Sequence, residues 1–159
     1  MCPDITYGFE LVAGKYHVRR GVGFLTAKNS KDINAKSIFD GLVDKKQRYM
    51  LSSFDSWIGG QNIIRRYHGW DKSEFGGKYI KCYVFKLKDN RVGQRFYGFL
   101  CNPIPDKPYY ELCVLISRVI KKEHETDATA LAHIEYLRIN SVVDRAVKKA
   151  MEKSYVYQN

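Results

Sequence analysis

The residues with the clearest capacity for chemistry are cations set in strand-like sequence. From Lys86 to Lys122 the chain reads KLKDNRVGQRFYGFLCNPIPDKPYYELCVLISRVIKK, with Arg95 embedded beside Phe96, Tyr97 and Phe99. Lys86 and Lys88 stand in the run before it, Arg91 in the turn between, and Arg118, Lys121 and Lys122 close the last run. A guanidinium forks onto two phosphate oxygens, whereas an ammonium neutralises as a point charge. Cations gathered with few carboxylates repel one another until an anion joins them, and a nucleic-acid phosphate is the natural anion. The competing reading of Arg95 alone is an exposed or ion-paired arginine on a sheet face.

Groups that could move a proton are fewer. His124, between Glu123 and Glu125, titrates near neutral pH and is a candidate acid or base, against the alternative of an exposed histidine ahead of a helix. The two glutamates fit the positive end of that helix better than a role as bases. Tyr83 and Tyr97 can stack on bases or pack in the core. His17, His68 and His133 belong to no constellation of their own. The chain has no Gly-rich phosphate loop of the P-loop type, no paired acidic residues suited to two-metal chemistry and no G-x-S-x-G elbow. An enzyme of this sequence is expected to work without metal or cofactor. The mechanism left open is acid–base cleavage of RNA, in which a 2′-hydroxyl attacks its own phosphate and cations stabilise the added charge.

The composition agrees with a polyanionic partner. The 159 residues include 27 Lys+Arg against 17 Asp+Glu, a net charge of +10, with 45% hydrophobic residues. That length predicts one domain, residues 1–159. The surplus favours nucleic acid first, an acidic protein second and an anionic membrane third. Cys2, Cys82, Cys101 and Cys113 are dispersed without metal-ligand spacing and read as reduced, the last three, in apolar strand-like runs, as small buried hydrophobes. No leader pattern and no long apolar window is present, so a cytoplasmic protein with no membrane partner is expected.

These cations must be positioned by strands and helices that the periodicity outlines. Ile5 to Val12, a turn at Ala13-Gly14-Lys15 and a return from Tyr16 to Arg20, which Gly21 to Leu25 can extend, make a hairpin within an N-terminal extension, residues 1–30. Ala35, Ile38, Phe39, Leu42 and Val43 form one helical stripe, and Met50, Leu51, Phe54, Trp57 and Ile58 a second, stopped by Gly59-Gly60. This αα-hairpin precedes an antiparallel meander of strands: Lys78 to Lys88, Arg95 to Cys101, and Tyr109 to Val119 beyond the proline-rich turn. The apolar run Leu112 to Ile116 suits a central strand covered on both faces. A final helix is predicted from a cap at Thr126 or Asp127 to about Met151, with Leu131, Ile134, Leu137, Ser141, Val142 and Ala146 on its buried stripe and a frayed tail over 154–159. The order is β(β)-α-α-β-β-β-α, an α+β fold whose antiparallel or mixed sheet carries helices. In such a meander Lys86, Arg95 and Lys121/Lys122 come to one edge region.

The strand Tyr83-Val84-Phe85-Lys86-Leu87-Lys88, the opening Arg95-Phe96-Tyr97 and the segment Leu115-Ile116-Ser117-Arg118-Val119-Ile120-Lys121-Lys122 before a last helix resemble, in this element order, the RelE/HigB-like toxins of type II toxin-antitoxin systems. The resemblance covers residues 31 to 150. It implies a RelE-like β-α-α-β-β-β-α fold and a metal-independent mRNA endonuclease, ribosome-dependent or free, held inactive by an antitoxin lying over its surface. It implies Arg95 as the scissile-phosphate ligand, Lys86 or Lys88 as the lysine of the preceding strand, and Lys121 and Lys122 as the basic pair. Arg65, Arg66 and His68 would form the basic segment approaching ribosomal RNA, with Arg91 and Arg118 as further RNA contacts. The chain departs from the family at Ser117, where many HigB-like relatives carry histidine, and at Thr126-Asp127, where Thr-Pro is usual. His124 or a lysine would then replace the missing histidine, or the protein binds RNA with little cleavage as a non-catalytic or regulatory module.

Overall fold

The computed structural model describes residues 5–89, 92–121 and 127–155. Its strands are β1 Thr6–Ala13, β2 Arg20–Lys28, β3 Tyr67–Gly69, β4 Cys82–Asp89, β5 Val92–Cys101 and β6 Glu111–Lys121; its helices are α1 Ala35–Asp40, α2 Asp44–Ile58, α3 Ala128–Arg138 and α4 Ser141–Tyr155. One six-stranded sheet runs in the order β1-β2-β6-β5-β4-β3. The meander β4-β5-β6 is antiparallel, as the alternation predicts, whereas β2 lies parallel to β6. The fold is therefore α+β with a mixed sheet, and the N-terminal hairpin contributes an interior strand to it.

Helices cover both faces. On one, α1 and α2 bury Phe39, Met50, Phe54 and Trp57 against Phe24 of β2, Phe85 of β4 and Phe96 of β5. Phe54 meets Phe85 edge to face with centroids 4.9 Å apart. It is wholly buried, so its replacement by alanine is expected to cost about 3–5 kcal/mol. On the other, α3 and α4 set Leu131, Ile134, Leu137, Val143, Val147 and Met151 against Val84, Tyr97, Phe99, Val114 and Ile116. Burial of Leu112 to Ile116 from both sides is the central-strand arrangement that their unbroken apolar run predicts.

Several boundaries differ from the expectation. The expected single C-terminal helix is two, because Asn140 ends one and starts the next. Its Oδ1 accepts from the amides of Val142 (2.9 Å) and Val143 (3.2 Å), the bonding of a helix N-cap. The new phase makes Val143, Val147 and Met151 the buried stripe in place of Ser141, Val142 and Ala146. The hairpin's return strand begins only at Arg20, since His17 Nδ1 accepts from the amides of Arg19 and Arg20 and holds the preceding residues in the turn. Gly14 sits there at φ +79°, where a Cβ would lie 2.5 Å from the Arg20 carbonyl oxygen. The first meander strand starts at Cys82, not Lys78, and the third at Glu111, not Tyr109. A short edge strand, β3, is an addition.

Between Tyr97 and Gly98 of β5 the pairing with β6 shifts by one residue. Tyr97 lies opposite Ser117 but Gly98 opposite Leu115, so Ile116 is an inserted residue, a β-bulge. Side chains alternate along a strand, so one extra residue carries everything after it to the other face. Ser117, Val119 and Lys121 thereby join the face covered by α3 and α4. Asn34 satisfies the strand at this point: its amide donates to the Ile116 carbonyl (3.1 Å), and its Oδ1 accepts from the Arg118 amide (2.9 Å). Gly98 lets the backbones approach, since a Cβ there would meet the Val114 carbonyl oxygen at 2.1 Å.

Candidate nucleic-acid interface

Three cross-strand rows on the α3/α4 face carry the candidate site. The first runs His68, Val84, Tyr97, Ser117 across β3, β4, β5 and β6; the second Lys86, Arg95, Val119; the third Lys88, Gly93, Lys121. Helix α3 covers the first row, where Val84 and Tyr97 are buried. The second and third rows extend beyond it: Lys86, Arg95 and Lys121 are partly exposed and Lys88 is exposed. Lys86 and Arg95 are directly opposed, with Cβ atoms about 5 Å apart in such a pair. Gly93 leaves a gap between Lys88 and Lys121.

The charges sense one another. Burial first, then the charges of Arg95 and Lys121, pull the Lys86 ammonium below its usual pKa, with Asp127 opposing. Lys86 Nζ donates to the Ile64 carbonyl oxygen at 3.1 Å, which directs it along the sheet toward β3. Lys121 Nζ lies 3.1 Å from both Asp127 carboxylate oxygens. Asp127 occupies the N-cap position of α3 but makes no capping bond; its carboxylate accepts from Lys121 and from the buried Tyr97 hydroxyl instead. Burial and that bond push the Tyr97 phenol upward, so it stays protonated.

His68 closes the first row. Its ring meets Trp70 with centroids 4.9 Å apart, and Trp70 stacks on Tyr97 at 6.2 Å. Nδ1 is 2.9 Å from the Gly69 carbonyl oxygen. Burial, together with the charges of Lys86 and Arg95, lowers the imidazole pKa, against the Gly69 bond and Asp127, which raise it. Beside this surface a cleft of about 640 Å3 opens between β6, the segment before α1 and the first turns of α3, lined by Asn34, Tyr97, Ser117, Lys121, Asp127 and His133.

Of the residues expected to act together, the structure gathers Lys86, Lys88, Arg95, Lys121 and His68 on one surface. Arg66 is turned away: it stacks over Tyr49 of α2 at 4.2 Å and donates to Ser52 and Ser53. Arg118 lies opposite Phe96 on the α1/α2 face and donates to Gln94. Arg65 is exposed in the turn before β3. Arg91, Lys122 and His124 lie outside the described residues. Sequence reasoning missed Asp127 as a partner of Lys121, Trp70 as the support of His68 and Gly93 as the gap; the run Tyr67-His68-Gly69-Trp70, with its histidine between two aromatics, was the available signal for the second.

Comparison with protein-family models, curated proteins and solved structures returns no match. Among the described residues no group of three or more His, Cys, Asp or Glu is placed to hold a metal ion, and no helix is long and apolar enough to cross a membrane.

Proposed function

We propose that this chain is a metal-independent endoribonuclease acting on mRNA, free or on the ribosome, as the toxin of a type II toxin-antitoxin pair. The observation that carries this is the opposed Lys86–Arg95 pair, continued by Lys88 and Lys121 around Gly93 on the part of the sheet face that extends beyond α3. Arg95 grips the non-bridging oxygens of the scissile phosphate, while Lys86 and Lys121 offset the charge gained in the transition state. The 2′-oxygen forms a bond to phosphorus, the bond to the 5′-oxygen breaks, and the products are a 2′,3′-cyclic phosphate and a 5′-hydroxyl. An antitoxin would silence the protein by covering the same cations, and an acidic segment suits that role.

Induced expression of wild type and Arg95→Ala, followed by growth and mapping of mRNA ends, tests the proposal. Growth arrest with cyclic-phosphate ends in the wild type alone supports it; identical behaviour of the two proteins in both assays rejects it. A non-catalytic RNA-binding module is the second reading, favoured by the Lys121–Asp127 ion pair, which already occupies one cation, and by Ser117, which brings no titrating group to the row. Salt-dependent RNA binding without cyclic-phosphate product is its signature.

A further inference from the structure

The cationic surface needs a group to take the proton from the attacking 2′-hydroxyl. We propose, resting on the endonuclease reading above, that His68 is that general base, with Nε2 as the accepting atom and a single-stranded RNA as the substrate.

The tautomer follows from one contact. A carbonyl oxygen can only accept, so Nδ1, 2.9 Å from the Gly69 oxygen, carries the ring proton and Nε2 bears the lone pair. Position follows from the register. His68 pairs with Val84, which puts its side chain on the face that presents Lys86 and Arg95, diagonal to Lys86 at a separation on the order of 7–8 Å. One ribonucleotide spans such a gap, with its phosphate at the Lys86–Arg95 pair and its 2′-hydroxyl toward β3. Orientation follows from packing, because Trp70 backs the ring and is itself stacked on Tyr97, whose hydroxyl is tied to Asp127.

The groups facing the imidazole are Lys86 from β4, Arg95 from β5 and Asp127 at the start of α3. Burial and the two cations hold the ring neutral in the resting protein, the form a base requires, while Asp127 and the Gly69 oxygen limit the effect. In the step itself the proton passes from O2′ to Nε2 as O2′ bonds to phosphorus. The electron pair of the breaking bond leaves on O5′, which takes a proton from water, and the resulting hydroxide is neutralised by the imidazolium.

The experiment uses the full-length protein and measures single-turnover cleavage of a single-stranded RNA and of a ribosome-bound mRNA across pH, with wild type, Arg95→Ala, His68→Ala and His68→Asn. The asparagine variant keeps an N–H donor for the Gly69 carbonyl and removes Nε2, so it separates chemistry from folding. Expected are a 10²–10⁴-fold loss of rate in both His68 variants, loss of the acidic limb of the wild-type pH profile, and partial recovery of His68→Ala by added imidazole. Affinity for an uncleavable 2′-O-methyl RNA should stay within about threefold. If Arg95→Ala is inactive while His68→Asn keeps both the rate and the acidic limb, His68 is not the base and the endonuclease reading stands. If wild type yields no cyclic-phosphate product on either substrate, both fall.

Discussion

Lys86 and Arg95 face each other across β4 and β5 as registered like charges. Such a pair destabilises a sheet by a few tenths to about 1 kcal/mol. A fold that retains it holds in reserve the relief an anion would bring. Lys86→Met should therefore raise stability in urea denaturation by roughly 0.2–1 kcal/mol while weakening RNA binding and cleavage. Arg95→Ala should reduce cleavage about 10²–10³-fold, the usual effect of losing one donor to transition-state charge. A variant that is both less stable and equally active would contradict the pairing of strain with function.

Lys88 and Lys121 flank Gly93, and the gap can be closed without touching a charge. Among the described residues a Cβ on Gly93 would meet the Lys121 carbonyl oxygen at 3.6 Å, an ordinary contact, so Gly93→Val should fold. It should nevertheless obstruct the trough and lower RNA affinity. Lys88→Ala and Lys121→Ala should instead each reduce the slope of log affinity against log salt by about 0.7 for a single strand. Filter-binding titrations at several salt concentrations separate the two effects, since the valine variant should keep the wild-type slope.

Asp127 restrains the site as well as supporting it. Its carboxylate holds Lys121 and accepts the Tyr97 hydroxyl. Asp127→Asn keeps an acceptor for Tyr97 but removes the negative charge, so thermal unfolding should show a loss on the order of 1–2 kcal/mol. RNA affinity at low salt should rise about threefold to tenfold, as expected for one unit charge removed a few ångströms from a phosphate.

The lowered pKa of His68 has a defined sign in stability. In the unfolded chain the imidazole takes its proton near the ordinary value of about 6.5; in the folded chain it does so at lower pH. Between those two values the unfolded state binds more protons, so stability rises with pH through that window and falls as pH drops below about 6.5. His68→Gln should flatten this component of the urea midpoint measured from pH 7 down to pH 5.

Much of the sheet was legible because its signals are local. The alternation around Cys82 and Val84, the proline-rich turn and the doubly apolar run Leu112 to Ile116 are readable within a dozen residues. Pairing of β2 with β6 is not, because it joins Arg20–Phe24 to Glu111–Leu115 across some ninety residues and leaves no pattern in either. The bulge is hidden for another reason. Leu112 to Ile116 are buried whichever face they take, so a slip of one residue changes no visible alternation. The expectation that Lys121 comes toward Arg95 rested on strand ends meeting at an edge; the structure brings it onto the same face through an insertion at Ile116 that the pattern did not disclose. The break at Asn140 was available in Asn140-Ser141, a capping residue at a helix start, but the apolar stripe on either side masked it.

The interior place of β2 has a consequence in time. One of its two neighbours, β6, follows it by some ninety residues, so β2 cannot complete its pairing until residues near 115 have been synthesised. Lys121 ends that same late strand. Synthesis must pass Lys121 before these cations can meet, so a chain halted short of it carries Lys86, Lys88 and Arg95 without the surface that would give them an activity.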